Sequence, residues 1–73
     1  MEVNIQKLKD TILEIKRREK LSNDEIAKIM KINYSYLFKI LKKRVKPGKK
    51  MFDAVTNLCK KYNLNPNEYL FLK

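Results

Sequence analysis

The sequence predicts a compact all-α domain of five helices over residues 1–73, and three observations lead to that fold class. The chain has 73 residues, which suffices for one domain with one modest hydrophobic core. Apolar residues make up 44% of it, so we expect a folded chain and not a disordered one. Residues that interrupt helices are scarce, since the only glycine and prolines are Gly48, Pro47 and Pro66.

Two capped helices are predicted in the first half of the chain. Helix one is expected over about residues 4–20, because its apolar residues recur at steps of three and four. Helix two should begin after Ser22, since Ser22 and Glu25 have the spacing of a reciprocal capping box. It should end near Lys31, because Asn33 is a good N-cap for another helix. The apolar positions expected to face the core are Ile5, Leu8, Ile12, Ile15, Ile26, Ala27, Ile29 and Met30.

Three further helices are predicted in the second half. Helix three is expected from Tyr34 to Lys43 or Arg44, and helix four over about residues 49–62. The run NPNE at residues 65–68 has a cap, a proline and an acid at the positions that begin a helix, so a short terminal helix is expected over residues 69–72. No strand is expected, because alternation of the strand kind does not extend over a useful length. The expected core positions here are Leu37, Ile40, Leu41, Met51, Val55, Leu58, Cys59 and Tyr62.

The charge balance indicates a polyanionic partner. Eighteen Lys and Arg residues against eight Asp and Glu give a formal net charge of +10. On so small a chain this excess predicts binding to nucleic acid, acidic lipid or an acidic protein surface. The chain has no histidine and Cys59 is its only cysteine, which argues against a metal site of the usual kind and against an internal disulfide. We expect no metal, no cofactor and no small-molecule ligand.

Catalysis is the least favoured class of function. The remaining acid–base groups are Lys, Tyr and carboxylate side chains scattered over helix surfaces, and nothing in the spacing groups them. Cys59 lies in an apolar helical stretch, so we expect a buried thiol, and a single unpaired thiol suits a reducing compartment. The first ten residues lack the apolar run of a signal peptide, and no segment approaches the ~18 apolar residues of a membrane span. The expectation is a cytoplasmic protein that is not an enzyme.

Residues 21–40, LSNDEIAKIMKINYSYLFKI, resemble the helix-turn-helix of the Cro/phage-repressor (XRE) family. The resemblance extends over roughly residues 8–72 and implies a lambda-repressor-like domain with the helix-turn-helix at helices two and three. The features that carry it are Glu25 and Ala27 in the first turns of a capped helix, Ile32 after the turn, the cap Asn33, and the apolar pair Leu37 and Ile40.

Three positions depart from the family pattern. The family usually has glycine where this chain has Lys31, so Lys31 must adopt a left-handed conformation or the turn must differ. The glycine that usually follows the recognition helix is replaced by Lys43, and an acidic residue near its end is replaced by Leu41.

The resemblance implies that helix three, over residues 34–43, lies in the major groove of double-stranded DNA. Helical projection independently places Ser35 and Lys39 opposite the core, whereas Tyr34 falls near the flank of the core. Lys39 can donate to guanine O6 and N7, and Phe38 or Tyr34 can pack against a thymine methyl group. The residues expected to contact bases are Tyr34, Ser35, Phe38 and Lys39.

Phosphate contacts are expected at the start of helix two and along a basic run. Free N–H groups at a helix N-terminus suit phosphate, and seven basic residues with no acid occur from Lys39 to Lys50. A helix dipole explains only the part of the run at the end of helix three. A second cluster over residues 16–20 (Lys16, Arg17, Arg18 and Lys20) fits either dipole and solubility effects or DNA contact. The residues expected to contact phosphates are Ser22, Asn23, Lys42, Lys43, Arg44, Lys46, Lys49 and Lys50.

The apolar C-terminus suggests a homodimer. Tyr69, Leu70, Phe71 and Leu72 exceed what so short a helix can bury, so we expect them to form a dimer interface. A dimer would place two recognition helices about one DNA turn (~34 Å) apart on a pseudo-palindromic site. The other interpretation is that all four residues complete the monomer core.

The sequence is compatible with two classes of function. The resemblance favours a sequence-specific transcriptional regulator of the repressor or controller type, associated with the nucleoid of a bacterium or a phage-infected cell. The alternative is a basic adaptor for proteins, or an accessory DNA-binding protein of a mobile element, because small folds of this kind also serve as interaction modules. Aromatic residues at Tyr34, Tyr36 and Phe38 suggest the adaptor. Binding to an acidic membrane is a less favoured function, since the apolar faces of the helices are expected to be buried in the core.

Overall fold

A computed structural model of the chain describes residues 2–46 and 48–71, and most of these residues are helical. The predicted all-α class is confirmed. The Cα radius of gyration is 11.0 Å, which matches the ~11 Å expected for a compact chain of this length. The α-helices are α1 (Ile5–Glu19), α2 (Asn23–Met30), α3 (Tyr34–Leu41) and α4 (Lys49–Tyr62), followed by a 3₁₀ turn (Pro66–Glu68), and two short strands, β1 (Glu2–Val3) and β2 (Leu70–Phe71), flank them.

The inward faces of the four helices form one hydrophobic core. Twelve of the sixteen predicted core positions are buried, while Ile5, Ile29, Leu41 and Tyr62 are half-buried at the margin of the core. Helices α2 and α4 pack against each other, and Asn57 Nδ2 donates to the Met30 carbonyl at 3.2 Å. The buried residues are Leu8, Ile12, Ile15, Ile26, Ala27, Met30, Leu37, Ile40, Met51, Ala54, Val55, Leu58, Cys59, Tyr69 and Leu70.

The predicted caps that start α2 and α3 are confirmed. The Glu25 N–H donates to Ser22 Oγ at 3.2 Å, and the Ser22 N–H donates to Glu25 Oε1 at 3.1 Å, which completes the capping box. At the start of α3, the Tyr36 N–H donates to Asn33 Oδ1 at 2.7 Å. Only two residues separate Lys31, the C-cap of α2, from the first residue of α3, so Lys31 and the N-cap Asn33 bound a short turn between the helices.

Left-handed residues other than glycine follow the helices. Lys31 has φ 57° and ψ 43°, so the left-handed alternative expected at this position is the one adopted. The following Ile32 donates its N–H to the Ala27 carbonyl at 3.0 Å and packs its side chain against the core. This bond and the apolar contact hold a lysine in a conformation that glycine adopts more readily. The residues with positive φ are Lys20, Lys31, Lys43 and Asn63.

The prediction that helix three continues to Lys43 or Arg44 is wrong. The helix ends at Leu41, with Lys42 as its C-cap at φ −92° and ψ 3°. Lys43 then turns to φ 59°, and the Arg44 N–H donates to the Lys39 carbonyl at 2.9 Å. This left-handed closure satisfies the last carbonyls of the helix and stops it before Lys43.

The prediction of a terminal helix over residues 69–72, and with it the count of five α-helices, is also wrong. After the 3₁₀ turn the chain extends, and β2 pairs antiparallel with β1, with Val3 opposite Leu70 and Glu2 opposite Phe71. The Asn4 N–H also donates to the Tyr69 carbonyl at 2.8 Å. The backbone groups of this segment find partners on the N-terminal strand, so they do not need a helix. Leu72 lies outside the described residues.

Candidate nucleic-acid interface

The outer face of α3 presents four side chains as one surface. Leu37 and Ile40 are buried and anchor the helix on the core. Because Leu37 and Ile40 point toward the core, the opposite side of this 3.6-residue helix points away from it and is exposed. An open, shallow groove there is lined by the four residues that the sequence assigned to base contact, Tyr34, Ser35, Phe38 and Lys39.

An aromatic pair, Tyr34 and Phe38, lines one side of this groove. Tyr34 is 48% exposed and Phe38 is 44% exposed, so Tyr34 lies further from the core than helical projection suggested. Their rings stack with centroids 6.4 Å apart and planes 18° from parallel. Lys42 Nζ lies 4.6 Å from the centroid of the Phe38 ring. The ring of Phe38 therefore contacts both a second ring and a cation.

Basic side chains continue from α3 through the following loop into α4, and we call them the basic strip: Lys39, Lys42, Lys43, Arg44, Lys46, Lys49 and Lys50. All seven are exposed. Lys49 Nζ lies 3.1 Å from Asp53 Oδ2, and this is the only ion pair of the strip within residues 2–46 and 48–71. The positive charge of the strip is thus largely unneutralised, which favours a polyanion at this surface.

Tyr36 contacts both the core and a lysine of the basic strip. Its ring is half-buried at the margin of the core, and Lys50 Nζ lies 4.4 Å from the ring centroid. Burial raises the pKa of the Tyr36 hydroxyl. Of the three aromatic residues that suggested an adaptor, Tyr36 therefore contributes less to the outer surface than Tyr34 and Phe38. The contact of Tyr36 with both the core and Lys50 could not be predicted from the sequence, because a half-buried ring on this flank gives no periodic signal.

The N-terminus of α2 offers free backbone donors beside the capping box. The Ser22 hydroxyl accepts from the Glu25 N–H and donates to Glu25 Oε1 at 3.1 Å, so its donor is already engaged. Among the described residues, the N–H groups of Asn23 and Asp24 have no partner, as is usual in a first helical turn. Asn23 is half-buried, and its side-chain oxygen also lacks a described partner. A phosphodiester only accepts hydrogen bonds, so these N–H groups suit it better than the Ser22 hydroxyl.

The second basic cluster, over residues 16–20, carries mixed charge. Arg17 lines a surface depression together with Asp10, Leu13 and Glu14. Arg18 lies 3.7 Å from the neighbouring Glu19 carboxylate. Acidic side chains thus accompany these cations, unlike those of the basic strip, and the dipole interpretation accounts for them at the end of α1.

The C-terminal residues divide between the core and the surface. Tyr69 and Leu70 are 3% and 7% exposed, and the Tyr69 hydroxyl lies 3.0 Å from Thr11 Oγ1. These two residues complete the monomer core, whereas Phe71 is 44% exposed. Leu72, the fourth residue of the expected dimer interface, lies outside the described residues. Homodimerisation stays a prediction. Of the described residues in the expected interface, Phe71 alone is exposed enough to contact a second copy.

Three further features bear on other kinds of site: the single thiol, groups of metal-ligating side chains and long apolar helices. Cys59 is buried as expected, and burial, followed by the nearby charge of Glu68, raises the pKa of its thiol. In the described part of the chain, no group of three or more His, Cys, Asp or Glu side chains is placed to hold a metal ion. None of the helices described is both long and apolar enough to cross a membrane.

No protein-family model, no curated protein and no solved structure matches this chain. The function is therefore inferred from the surface of α3 and from the basic strip.

Proposed function

We propose that this chain is a sequence-specific double-stranded DNA-binding protein, in which α2 and α3 form a helix-turn-helix of the Cro/phage-repressor type and α3 enters the major groove. One observation carries the proposal: the outer face of α3 joins polar and apolar side chains to a continuous, largely unpaired basic strip. A helix fits the major groove of B-DNA, where base edges present donors, acceptors and methyl groups.

The roles of the residues follow from their chemistry. Lys39 and Ser35 carry the hydrogen-bond donors that can contact base edges such as guanine O6 and N7. The rest of the basic strip contacts phosphates, which fixes the register of α3 without specifying sequence. The free N–H groups of Asn23 and Asp24 bind a further phosphate at the N-terminus of α2.

Regulation by site occupancy is the biological role proposed for this domain. A bound domain blocks or positions other proteins on DNA, as expected of a repressor or controller-type regulator. In a homodimer the two copies of α3 occupy half-sites about one helical turn (~34 Å) apart, so the site is an inverted repeat.

The proposal is tested by binding selection from a random duplex library, followed by affinity measurements on the winner and a scrambled duplex at two salt concentrations. The expected result is a shared sequence, bound at least roughly 10³-fold more tightly than the scrambled duplex. Affinity for both duplexes should fall steeply as salt rises, because bound lysines release counterions from phosphates. Equal affinity for the winner and the scrambled duplex contradicts the proposal.

The exposed Tyr34–Phe38 stack favours one second candidate, a basic adaptor that binds an acidic protein. Aromatic residues are enriched in protein interfaces, and folds of this size serve more than one function. The same selection distinguishes the candidates, since an adaptor binds DNA weakly and without sequence preference.

A further inference from the structure

We propose that the Tyr34–Phe38 pair recognises the 5-methyl group of thymine in the major groove, so that the DNA site of this protein carries thymine opposite Phe38. This inference rests on the proposed function, because it assigns a base type to the surface of α3. It concerns an apolar contact, whereas Lys39 and Ser35 supply the polar ones.

The geometry of the pair suits contact with a small apolar group. The stacked rings form an apolar patch along one side of the groove, and Ser35 and Lys39 line the groove beside it. Lys42 Nζ also lies 4.6 Å from the centroid of the Phe38 ring. Because Tyr34 and Lys42 both contact the ring, rotation of the Phe38 side chain is restricted, so it loses less side-chain freedom on binding than a ring without neighbours would.

The chemistry of the groove selects the contact. The side chain of Phe38 has no hydrogen-bond donor or acceptor, and the apolar group that B-DNA offers in the major groove is the thymine C5-methyl. Placed over a cytosine amino group or a guanine carbonyl, the same ring would remove water without replacing its hydrogen bonds. The pair therefore favours a T·A pair and also rejects a G·C pair at that position.

The charge around the pair specifies double-stranded DNA as the occupant. Lys42 lies against Phe38, Lys39 lines the same groove, and the remaining basic strip continues from the end of α3. An apolar patch inside a field of unpaired lysines fits a ligand that carries methyl groups between rows of phosphates. A protein partner with an acidic, apolar surface is the outcome that the test must separate from this one.

The test compares the selected duplex with duplexes in which single thymines are replaced by deoxyuridine, which removes only the methyl group. At one position in each half-site the replacement should weaken binding about fourfold, the factor expected for burial of one methyl-sized group. Phe38→Ala should bind the thymine and deoxyuridine duplexes equally. Phe38→Leu, which keeps an apolar side chain, should retain part of the discrimination. Because Phe38 is exposed, neither substitution should unfold the protein, and circular dichroism checks this.

Three results overturn the inference, and they differ from one another. Selective DNA binding that is indifferent to every deoxyuridine replacement leaves the proposed function intact and removes the methyl contact. Discrimination that persists unchanged in Phe38→Ala assigns the methyl contact to another residue. Absence of any sequence-selective binding by the parent protein refutes the proposed function, and the inference falls with it.

Discussion

At the scale of single residues, lysines occupy backbone conformations that glycine usually takes. Lys20, Lys31 and Lys43 all have positive φ, between 55° and 59°. A left-handed conformation costs a residue with a Cβ atom about 1–2 kcal/mol. The chain keeps a cation at each of these helix ends, where positive charge also interacts favourably with the helix dipole.

Lys31→Gly should therefore raise the free energy of unfolding by about 1 kcal/mol, because glycine adopts φ 57° without steric cost. Lys28→Gly is the matched control, since it removes the same charge from a right-handed helical position in the last turn of α2 and should lower stability by up to about 1 kcal/mol. Urea unfolding followed by circular dichroism measures both. A loss of stability in Lys31→Gly would show that the lysine side chain, and not backbone strain, dominates at this turn.

The Cys59 thiol makes stability depend on pH in the alkaline range. Burial raises the thiol pKa above its ordinary value of 9.0, so the folded protein retains the proton more tightly than the unfolded chain. The stabilisation is complete below the unfolded pKa and is lost as pH rises through the folded pKa. Stability should thus fall more between neutral pH and about pH 10 in the parent than in Cys59→Ala. Parallel pH profiles of the two proteins in urea unfolding would refute this.

At the scale of secondary-structure elements, the sequence predicted the starts of α2 and α3 and missed the end of α3 and the extended C-terminus. Ser22 and Asn33 are short polar residues whose side chains accept a hydrogen bond from the N–H three residues later. Both helix starts are therefore determined by residues close in sequence, which a sequence pattern can identify. The end of α3 depends on Lys43 in a left-handed conformation, and a lysine in the sequence does not indicate that conformation. The extended C-terminus depends on pairing with β1 more than sixty residues away, and local pattern carries no information about that contact.

Tyr34 and Phe38 are assigned to base contact only by the resemblance to the family. The outward positions of Ser35 and Lys39 could also be predicted by helical projection, opposite the buried Leu37 and Ile40. The stack of Tyr34 on Phe38 and the cation over Phe38 could not, because they depend on side-chain rotamers. The hydrogen bonds between Ser22 and Glu25 could be predicted from the capping box. That the Ser22 hydroxyl donates to Glu25, and so has no donor left for a phosphate, could be seen only in the structure.

The basic strip, which connects α3 to α4, should govern the salt dependence of DNA binding. Lys46→Ala should weaken binding to selected and scrambled duplexes alike and reduce the slope of log affinity against log salt by about 1. Lys61→Ala removes the same charge from the last turn of α4, the opposite end from the strip, and should leave the slope nearly unchanged. Equal effects of the two substitutions, measured by fluorescence anisotropy, would mean that net charge alone attracts DNA.

At the scale of the whole molecule, charge is distributed unevenly along the chain. Between Glu25 and Asp53 there are nine basic residues and no acidic one, whereas Asp10, Glu14 and Glu19 all lie on α1. This separation orients the molecule in the field of a polyanion, so that α3 and the strip face it first.

Oligomeric state can be tested at a single exposed residue. If the protein dimerises through its C-terminus, sedimentation should show a dimer at tens of micromolar, and Phe71→Asp should convert it to a folded monomer because Phe71 is exposed. Leu70→Asp is unsuitable for this purpose, since it would bury a carboxylate in the core and unfold the chain. A parent protein that is already monomeric at this concentration contradicts dimerisation through this segment.

The most direct test of the central claim is the affinity of the parent protein, Lys39→Ala and Lys61→Ala for every single-base-pair variant of the selected duplex. If α3 contacts bases in the major groove, Lys39→Ala loses about 1–3 kcal/mol of discrimination at one base pair and keeps its preferences elsewhere. Lys61→Ala should show the parent's preferences throughout. A uniform loss of affinity in Lys39→Ala, with discrimination unchanged at every base pair, would show that Lys39 acts only as a charge and would contradict base recognition by this face of α3.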